Sequence, residues 1–476
     1  MNHDFDAIVI GSGAGGSATA YQLARHGKRV LVLEKGGRLP RDGSTLDVRQ
    51  VFGEGRFGNK QIWRDGRGEV FTPGEFYNLG GKTKWYGAAL LRFMPHEFKA
   101  DAAHQCLPWP IGYDVLAPWY DEAERLLGVR HFEHEADLRR LIAGITAQGD
   151  WRAESLPLGL RPAIISDLRE AKHFDGFASV AGHKADAERS LLESVTTTPG
   201  CAVKLNYKAI GFSHADGDPA TLTGVNCLGG AHFTAPTIIL AAGAMSSPRL
   251  LQAYFSHTGL EATLPSARQA GAHFKMHVNS ALLAFAPRKF RDALRKTAIF
   301  FNDAFPHSSV QPLGWLDGEI LATQLPGFVP GFVTKALGAR AYGFFVTTED
   351  GSTPDNRITE GTDGPVMDYD LARLGPARTE HRAVLRAFKR ALLRRGLLSA
   401  ARHMGPAGTA HALGSLVMGD DPAHSVVDAH GRVHGLRNLY VADGSVLPRS
   451  SRVNPALTIY AWGLRLGEHL APENSA

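Results

Sequence analysis

Residues 6–34 read DAIVIGSGAGGSATAYQLARHGKRVLVLE, and this stretch decides the fold. Residues 6–10 are a short apolar run, 17–26 a helical stretch, and 29–33 (RVLVL) a second apolar run rich in β-branched residues. Strand, helix and strand in that order predict a βαβ unit. Between the first strand and the helix lies Gly11-Ser12-Gly13-Ala14-Gly15-Gly16, which satisfies GxGxxG. Gly11 allows the tight turn, Gly13 lets backbone approach a pyrophosphate, and Gly16 lets helix and strand pack closely. The helix N-terminus then faces the phosphates. Glu34 closes the second strand, with Lys35 beside it. An acid there can accept hydrogen bonds from ribose hydroxyls and would repel a 2′-phosphate. The context predicts dinucleotide binding, but it does not separate FAD from NAD.

Around this unit the chain reads as an ordinary globular protein. Its 476 residues suggest two or three domains, and its 44% hydrophobic and 21% charged residues are usual for a packed core. Glycine is frequent, 53 residues, as expected where turns and backbone–cofactor approaches abound. The net charge of +5 is spread without a basic stripe, which argues against nucleic acid. Cys106, Cys201 and Cys227 are far apart, so a reducing compartment is favoured. The N-terminus enters a strand directly, without a signal-peptide pattern, and no apolar run reaches 18 residues. A cytoplasmic location without a transmembrane segment is the expectation.

Further along, 116–127 predicts an amphipathic helix, 202–212 and 221–228 predict strands, and TIILAA at 237–242 predicts another buried parallel strand. Residues 51–75 look irregular, and 270–350 read as an antiparallel sheet with loops. Residues 380–402 predict one helix with a basic and an apolar face, either packed on the domain or touching a membrane surface.

The tail carries the distinguishing text. It contains HALGSLVMG at 411–419, SVVDAHGRVHGLRNLYVADGSVLP at 425–448, and Asn454-Pro455-Ala456-Leu457-Thr458. LGGKTKWYGAALLRF at 79–93, WPIGYDVLAPWYDEAERLLGV at 109–129 and IILAAGAMSSPRLL at 238–251 stand before it. These stretches, in this order, resemble the glucose–methanol–choline (GMC) oxidoreductases over nearly the whole chain. The resemblance implies a Rossmann-like α/β FAD-binding domain plus an α+β substrate domain built on an antiparallel sheet. It divides the chain into 1–130, 195–265 and 426–476 for FAD, and 131–194 and 266–425 for substrate.

The same resemblance implies FAD-dependent oxidation of a small-molecule alcohol, with His411 as general base and Asn454 as its orienting partner. Histidine suits the task because its pKa lies near working pH. Gly80, Gly81, Thr83, Trp85 and Gly87 of the second glycine motif, and Ala242, Gly243, Asp443 and Gly444, are expected at the cofactor. Val203 is expected at the adenine, and Asn454, Pro455 and Ala456 at the flavin end. Trp85 stands where some relatives carry a flavin-linking histidine, so FAD is expected to be non-covalent. Residues 174–179 lack the cysteines that some relatives carry there, which speaks against a redox or metal loop. The electron acceptor stays open among O₂, a quinone and a redox protein. A non-redox lyase or light-driven decarboxylase on the same scaffold, and a nicotinamide-dependent dehydrogenase, are the alternatives.

Several residues have plainer readings. Asn454 would also serve as a helix N-cap. His430 and His434 have metal-like spacing, but nothing completes a tetrahedral set, and no metal site is expected. His277 is expected to be structural or to stand behind the site. Phe300, Phe301, Trp315 and Phe328 could line a pocket or fill the core.

Overall fold

Residues 7–10 are buried along their whole length, as are 30–34, and runs of that kind pair in parallel where both sheet faces are covered. The computed structural model describes residues 3–316, 318–325, 329–408 and 411–471; Phe328 lies outside the described residues. In chain order the elements that position the site are β1 (Ala7–Ile10), α1 (Ala14–Arg25), β2 (Val30–Glu34), α2 (Tyr113–Leu127), α3 (Ala136–Thr146), β3 (Arg152–Ser155), β4 (Ala202–Leu205), β5 (Thr237–Leu240), β6 (Val278–Phe285), β7 (Ala298–Phe301) and β8 (Ser308–Pro312). They continue with α4 (Gly318–Gln324), α5 (Gly331–Gly338), β9 (Ala341–Thr348), α6 (Gly375–Leu393), β10 (Leu398–Met404), β11 (Leu439–Val441) and α7 (Ala456–His469).

The first sheet runs β11-β5-β1-β2-β4, all parallel, so segments far apart in sequence lie side by side. Helices α1 and α7 pack closely against each other. A Cβ on Gly463 would run into the Gly15 backbone, and Thr19 Oγ1 donates to the Gly463 carbonyl at 2.9 Å.

The second sheet runs β10-β6-β9-β8-β7-β3 and is antiparallel throughout. Strand alternation gives it two different faces. Leu282, Ala284, Phe344, Val346, Val310 and Phe300 pack on Leu138 and Leu141 of α3 and Val384, Phe388 and Leu392 of α6. On the other face Ala281 stands opposite Phe345, and Phe345 opposite Gln311. The Rossmann-like α/β unit with an added antiparallel sheet is thus the architecture expected. Two smaller sheets complete it: residues 51–75, read as irregular, supply Trp63–Asp65 and Val70–Phe71 to one of them.

One expectation fails. Residues 380–402 are not one helix: α6 ends at Leu393, and 398–404 form β10. Gly396, at φ +69°, turns the chain. Beyond it Leu398–Met404 pairs with β6 alone, as an exposed edge strand. The apolar–basic alternation that suggested a longer helix face is shared between two elements of different period.

Candidate active site

A continuous cavity of about 1500 Å³ runs from the glycine loop after β1 to the inner face of the second sheet. That exceeds the roughly 300–1,000 Å³ of an ordinary ligand pocket, leaving space for a dinucleotide and a second molecule.

The β1 end is built from backbone. A Cβ on Gly11 would run into the Ala241 carbonyl and one on Gly15 into the Ala442 carbonyl, whereas one on Gly13 would meet nothing within 4 Å. The loop is therefore pressed onto β5 and β11 while Gly13 faces open space. Helix α1 begins at Ala14 with no side chain capping it, and α7 begins at Ala456 likewise. Both starts line the cavity and present free amide N–H groups and the positive end of a helix dipole. Glu34 is buried, and its carboxylate accepts from Ser12 Oγ at 2.6 Å and from Gly36 N at 2.8 Å. Burial raises its pKa, opposed by those hydrogen bonds. Burial also brings Lys35 down to about 8, against the pull of Glu75 and Glu34. Asp443 accepts from Gly243 N at 2.8 Å and from Ser247 Oγ, and burial raises its pKa as well. These features fit a dinucleotide flavin: open glycines, two uncapped helix starts and an acid at the end of β2.

Of the residues expected at the cofactor, Gly11, Ser12, Gly13, Ala14, Gly15, Glu34, Lys35, Gly81, Thr83, Trp85, Gly87, Ala242, Gly243, Asp443, Gly444, Asn454, Pro455 and Ala456 line the cavity. Gly16, Gly80 and Val203 are not in its wall. Gly16 packs against Gly11, Gly80 N donates to Ser12 Oγ at 3.0 Å, and Val203 pairs with Val32 on β4. Trp85 is buried, donates from Nε1 to Asn78 Oδ1 at 2.9 Å and stacks on Phe76.

At the other end stand His411 and Asn454, both in the cavity wall. His411 Nδ1 lies 2.9 Å from His277 Nδ1. His277 Nε2 lies 3.0 and 2.8 Å from the carbonyl oxygens of Ser450 and Ser451. Carbonyl oxygens only accept, so His277 Nε2 carries its proton. In neutral His277 the Nδ1 is then an acceptor, and the His411 proton must sit on Nδ1. His411 Nε2 is left with a bare lone pair. Enclosure pushes the His411 pKa well below the usual histidine value, and the neighbouring Lys82 and Lys296 cations add to this. The ring is held as a neutral base of one tautomer.

His277 stands behind the site, one of its two expected places; sequence reasoning missed the turn and the acids that hold it there. His277 and Ser451 adopt φ of +63° and +66°, the left-handed region that non-glycine residues avoid. Buried acids fix the turn: Ser450 Oγ donates to Asp350 at 2.7 Å, Ser451 Oγ to Glu97 at 2.6 Å, and Ser451 N to Glu349 at 3.1 Å. Arg449 donates twice to Glu349, at 2.8 and 2.6 Å, and together with His307 it holds that carboxyl well below the ordinary range against the effect of burial. This network includes two groups with metal-like spacing, Cys106–His307–Glu349 and His104–His307–Glu380. The Glu349 carboxylate is already bound by Arg449 and His307, and His104 donates to the Glu349 carbonyl at 2.8 Å, so the cluster reads as an anchor for the 449–454 loop.

Asn454 is not the α7 N-cap; Pro455 holds that position, and Asn454 Oδ1 accepts from Gln311 Nε2 at 2.6 Å. Its amide NH₂ is thereby left to donate. Gln311 gave no signal beyond its place in an alternating strand. Phe300 and Phe301 are core, whereas Trp315 lines the cavity beneath the Arg295 guanidinium. His430 stacks on His469, and His434 bonds Ser425, so these two tail histidines have partners of their own.

Among the described residues no helix is long and apolar enough to cross a membrane. Residues 374–463 match the GMC oxidoreductase family model, and 9–47 match that of an NAD(P)-binding Rossmann-like domain. Paromamine 6'-oxidase of Streptomyces fradiae is 28% identical, over 98% of this chain and 91% of its own. The 6'''-hydroxyparomomycin C oxidase of Streptomyces lividus is 29% identical, over 99% and 93%. The crystal structure of pyridoxine 4-oxidase from Mesorbium loti superposes with a TM-score of 0.73 at 17% identity, covering 98% of both chains, and shares the fold. A glycine cradle, two uncapped helix starts and a histidine of the matched tail meet in one cavity, and residues 374–463 carry a GMC oxidoreductase C-terminal domain.

Proposed function

We propose that this oxidoreductase removes a hydride from the carbinol carbon of an alcohol, with non-covalent FAD lying along the glycine cradle. When bound, the flavin supplies the hydride acceptor. The chain's own part is to hold the hydroxyl and take its proton. His411 Nε2 offers a lone pair to the O–H, and Asn454 Nδ2 offers a donor to the same oxygen. A hydroxyl group both donates and accepts, so it matches this pair. The observation carrying the reading is the His411–His277–carbonyl chain, which leaves a base pointed at the cavity. A carboxylate, as a decarboxylase would need, brings no proton to that lone pair. The uncapped start of α7 offers N–H groups for negative charge developing at the ring.

We assign 1–130, 195–265 and 426–476 to the cofactor unit and 131–194 and 266–425 to the substrate unit. Val203 is assigned a backbone contact to the adenine, and Glu34 a contact to the ribose. The deciding experiment is anaerobic mixing of the yellow holoprotein with an alcohol panel. Bleaching of the flavin bands by an alcohol is expected; no bleaching by any alcohol refutes the reading. Reoxidation with O₂ or a quinone analogue then identifies the acceptor. Acid precipitation should release all the yellow colour, since Trp85 offers no linking nitrogen of the histidine kind; colour retained in the washed pellet would reject the non-covalent assignment.

A further inference from the structure

The geometry points to an uncharged alcohol with a hydrophobic body as the substrate, an inference that rests on the alcohol-oxidation reading above. Beyond His411 and Asn454 the cavity wall is mostly apolar, for a structural reason. The inner face of the second sheet supplies Leu283 and Phe345, and the chain following β8 supplies Leu313, Leu316, Ile320 and Leu321. Gly343, opposite Leu283, keeps that wall low: a Cβ there would run into the Leu316 side chain. The same sheet turns its other apolar face to α3 and α6, so this wall is not needed for the core that covers the opposite side.

The charges in the wall argue the same way. Asp175 pairs with Lys296 at 3.0 Å, Glu75 pairs with Lys82, and Glu360 with Arg249. Glu34 and Asp443 are bonded by their own loops at the cofactor end. Each carboxylate lining the cavity among the described residues is thus already neutralised by a cation of the protein or bonded by its own loop, and none stands as an unpaired charge before a substrate ammonium. Arg402, the cation of β10, is exposed on the edge strand. A polycationic or heavily hydroxylated substrate would lose hydration against Leu283, Phe345 and Leu321, and those side chains return no hydrogen bond for it.

The test uses the FAD-loaded protein and two alcohol series. Binding of 2-methyl-2-alkanols, which carry no hydrogen on the carbinol carbon, is followed by perturbation of the flavin spectrum. Flavin bleaching by primary n-alkanols, with 6-amino-1-hexanol and glucosamine beside them, is followed anaerobically. Affinity for the tertiary alcohols should tighten by about fourfold per added methylene until the pocket is filled. The efficiency of bleaching should follow, and 1-heptanol should outperform 6-amino-1-hexanol. In Leu316→Asp, which places an unpaired carboxylate on this wall, the preference between those two should move toward the amino alcohol by about tenfold or more. A flat chain-length series, or a wild-type preference for 6-amino-1-hexanol or glucosamine, overturns the inference while leaving alcohol oxidation intact. Tightening along the tertiary series without bleaching by any primary alcohol overturns the oxidation reading itself, and with it the claim that the apolar guest is a substrate.

Discussion

The two ends of the cavity are made of different materials. The cofactor end is made of backbone: open glycines, two helix starts and carbonyls that forbid a Cβ at Gly11 and Gly15. The alcohol end is made of side chains whose polarity is set by other side chains: His277 behind His411, and Gln311 behind Asn454. Backbone recognition depends on local conformation, so it can be written in a few consecutive residues. Side-chain recognition here joins His411 to His277 and Asn454 to Gln311, pairs drawn from four separate segments of the chain. The contrast has a consequence for mutation. Damage at the first end should appear as lost cofactor that excess cofactor restores, and damage at the second as lost rate in a fully loaded protein.

The largest effect expected is at the second end. His411→Ala should retain FAD but reduce it with alcohol about 10²–10⁴ times more slowly, the usual contribution of a positioned base. A fully loaded His411→Ala protein bleaching at the wild-type rate would remove the base assignment. At the first end, Glu34→Ala should weaken FAD binding by about 1.5–3 kcal/mol, the scale of hydrogen bonds to a charged group. Equilibrium dialysis measures this, and saturating FAD should return most of the activity. If dialysis finds unchanged affinity, or activity stays low at full loading, the division between the two ends fails at Glu34.

The same contrast explains what was legible in the sequence. The βαβ unit could be read because DAIVIGSGAGG carries its own strand, turn and helix start, and the Rossmann-like half of the fold followed from it, whereas the substrate domain came from the family likeness. The TIILAA run could be read as a parallel strand because both its faces are covered. His411 and Asn454 were accessible only through the likeness of the tail to a known family. His277 could be read only as structural or as standing behind the site, because what defines its role is a left-handed turn and two carbonyls on a loop 173 and 174 residues away. Gln311 sits in an ordinary alternating strand, and nothing local marks it. The helix predicted over 380–402 failed because Gly396 divides one amphipathic pattern between a helix and an edge strand.

His277 sharpens the comparison further, since it never needs to touch a substrate. His277→Leu removes the acceptor that keeps the His411 proton on Nδ1. Flavin reduction should slow by about 10–100-fold, the range for removing a partner that orients a working imidazole. His277→Asn keeps an oxygen near the former Nδ1 position and should recover much of that loss. A merely structural role would not change the tautomer, so ¹⁵N shifts of His411, identified by comparison with His411→Gln, are the discriminating measurement. Wild type should show the Nδ1–H form, and His277→Leu a mixture. An Nε2–H form in the wild type would overturn the hydrogen-bond assignment.

The smallest expected effect is on pH dependence, and its sign follows from burial. Enclosure, with the Lys82 and Lys296 cations nearby, pushes the His411 pKa well below 6.5. The limb in flavin reduction that requires His411 deprotonated should therefore lie below pH 6.5, leaving its contribution flat from neutrality upward. Stability moves with it. The unfolded chain protonates this histidine near pH 6.5. The folded protein does so only at lower pH, so below 6.5 the unfolded state binds more protons and stability falls as pH falls. His273 and His381, both held at about 3 chiefly by burial, act in the same direction. Each such group contributes at most about 1.4 kcal/mol per pH unit. Urea unfolding at pH 7.0 and 5.5 measures the sum over all shifted groups, His307 opposing because its pKa is raised, and His411→Gln removes one contribution from that sum. The variant should lose less stability than wild type between those two values. An equal or greater loss would mean that His411 is not held neutral in the folded protein, and the lone pair assigned to the base would be occupied at working pH.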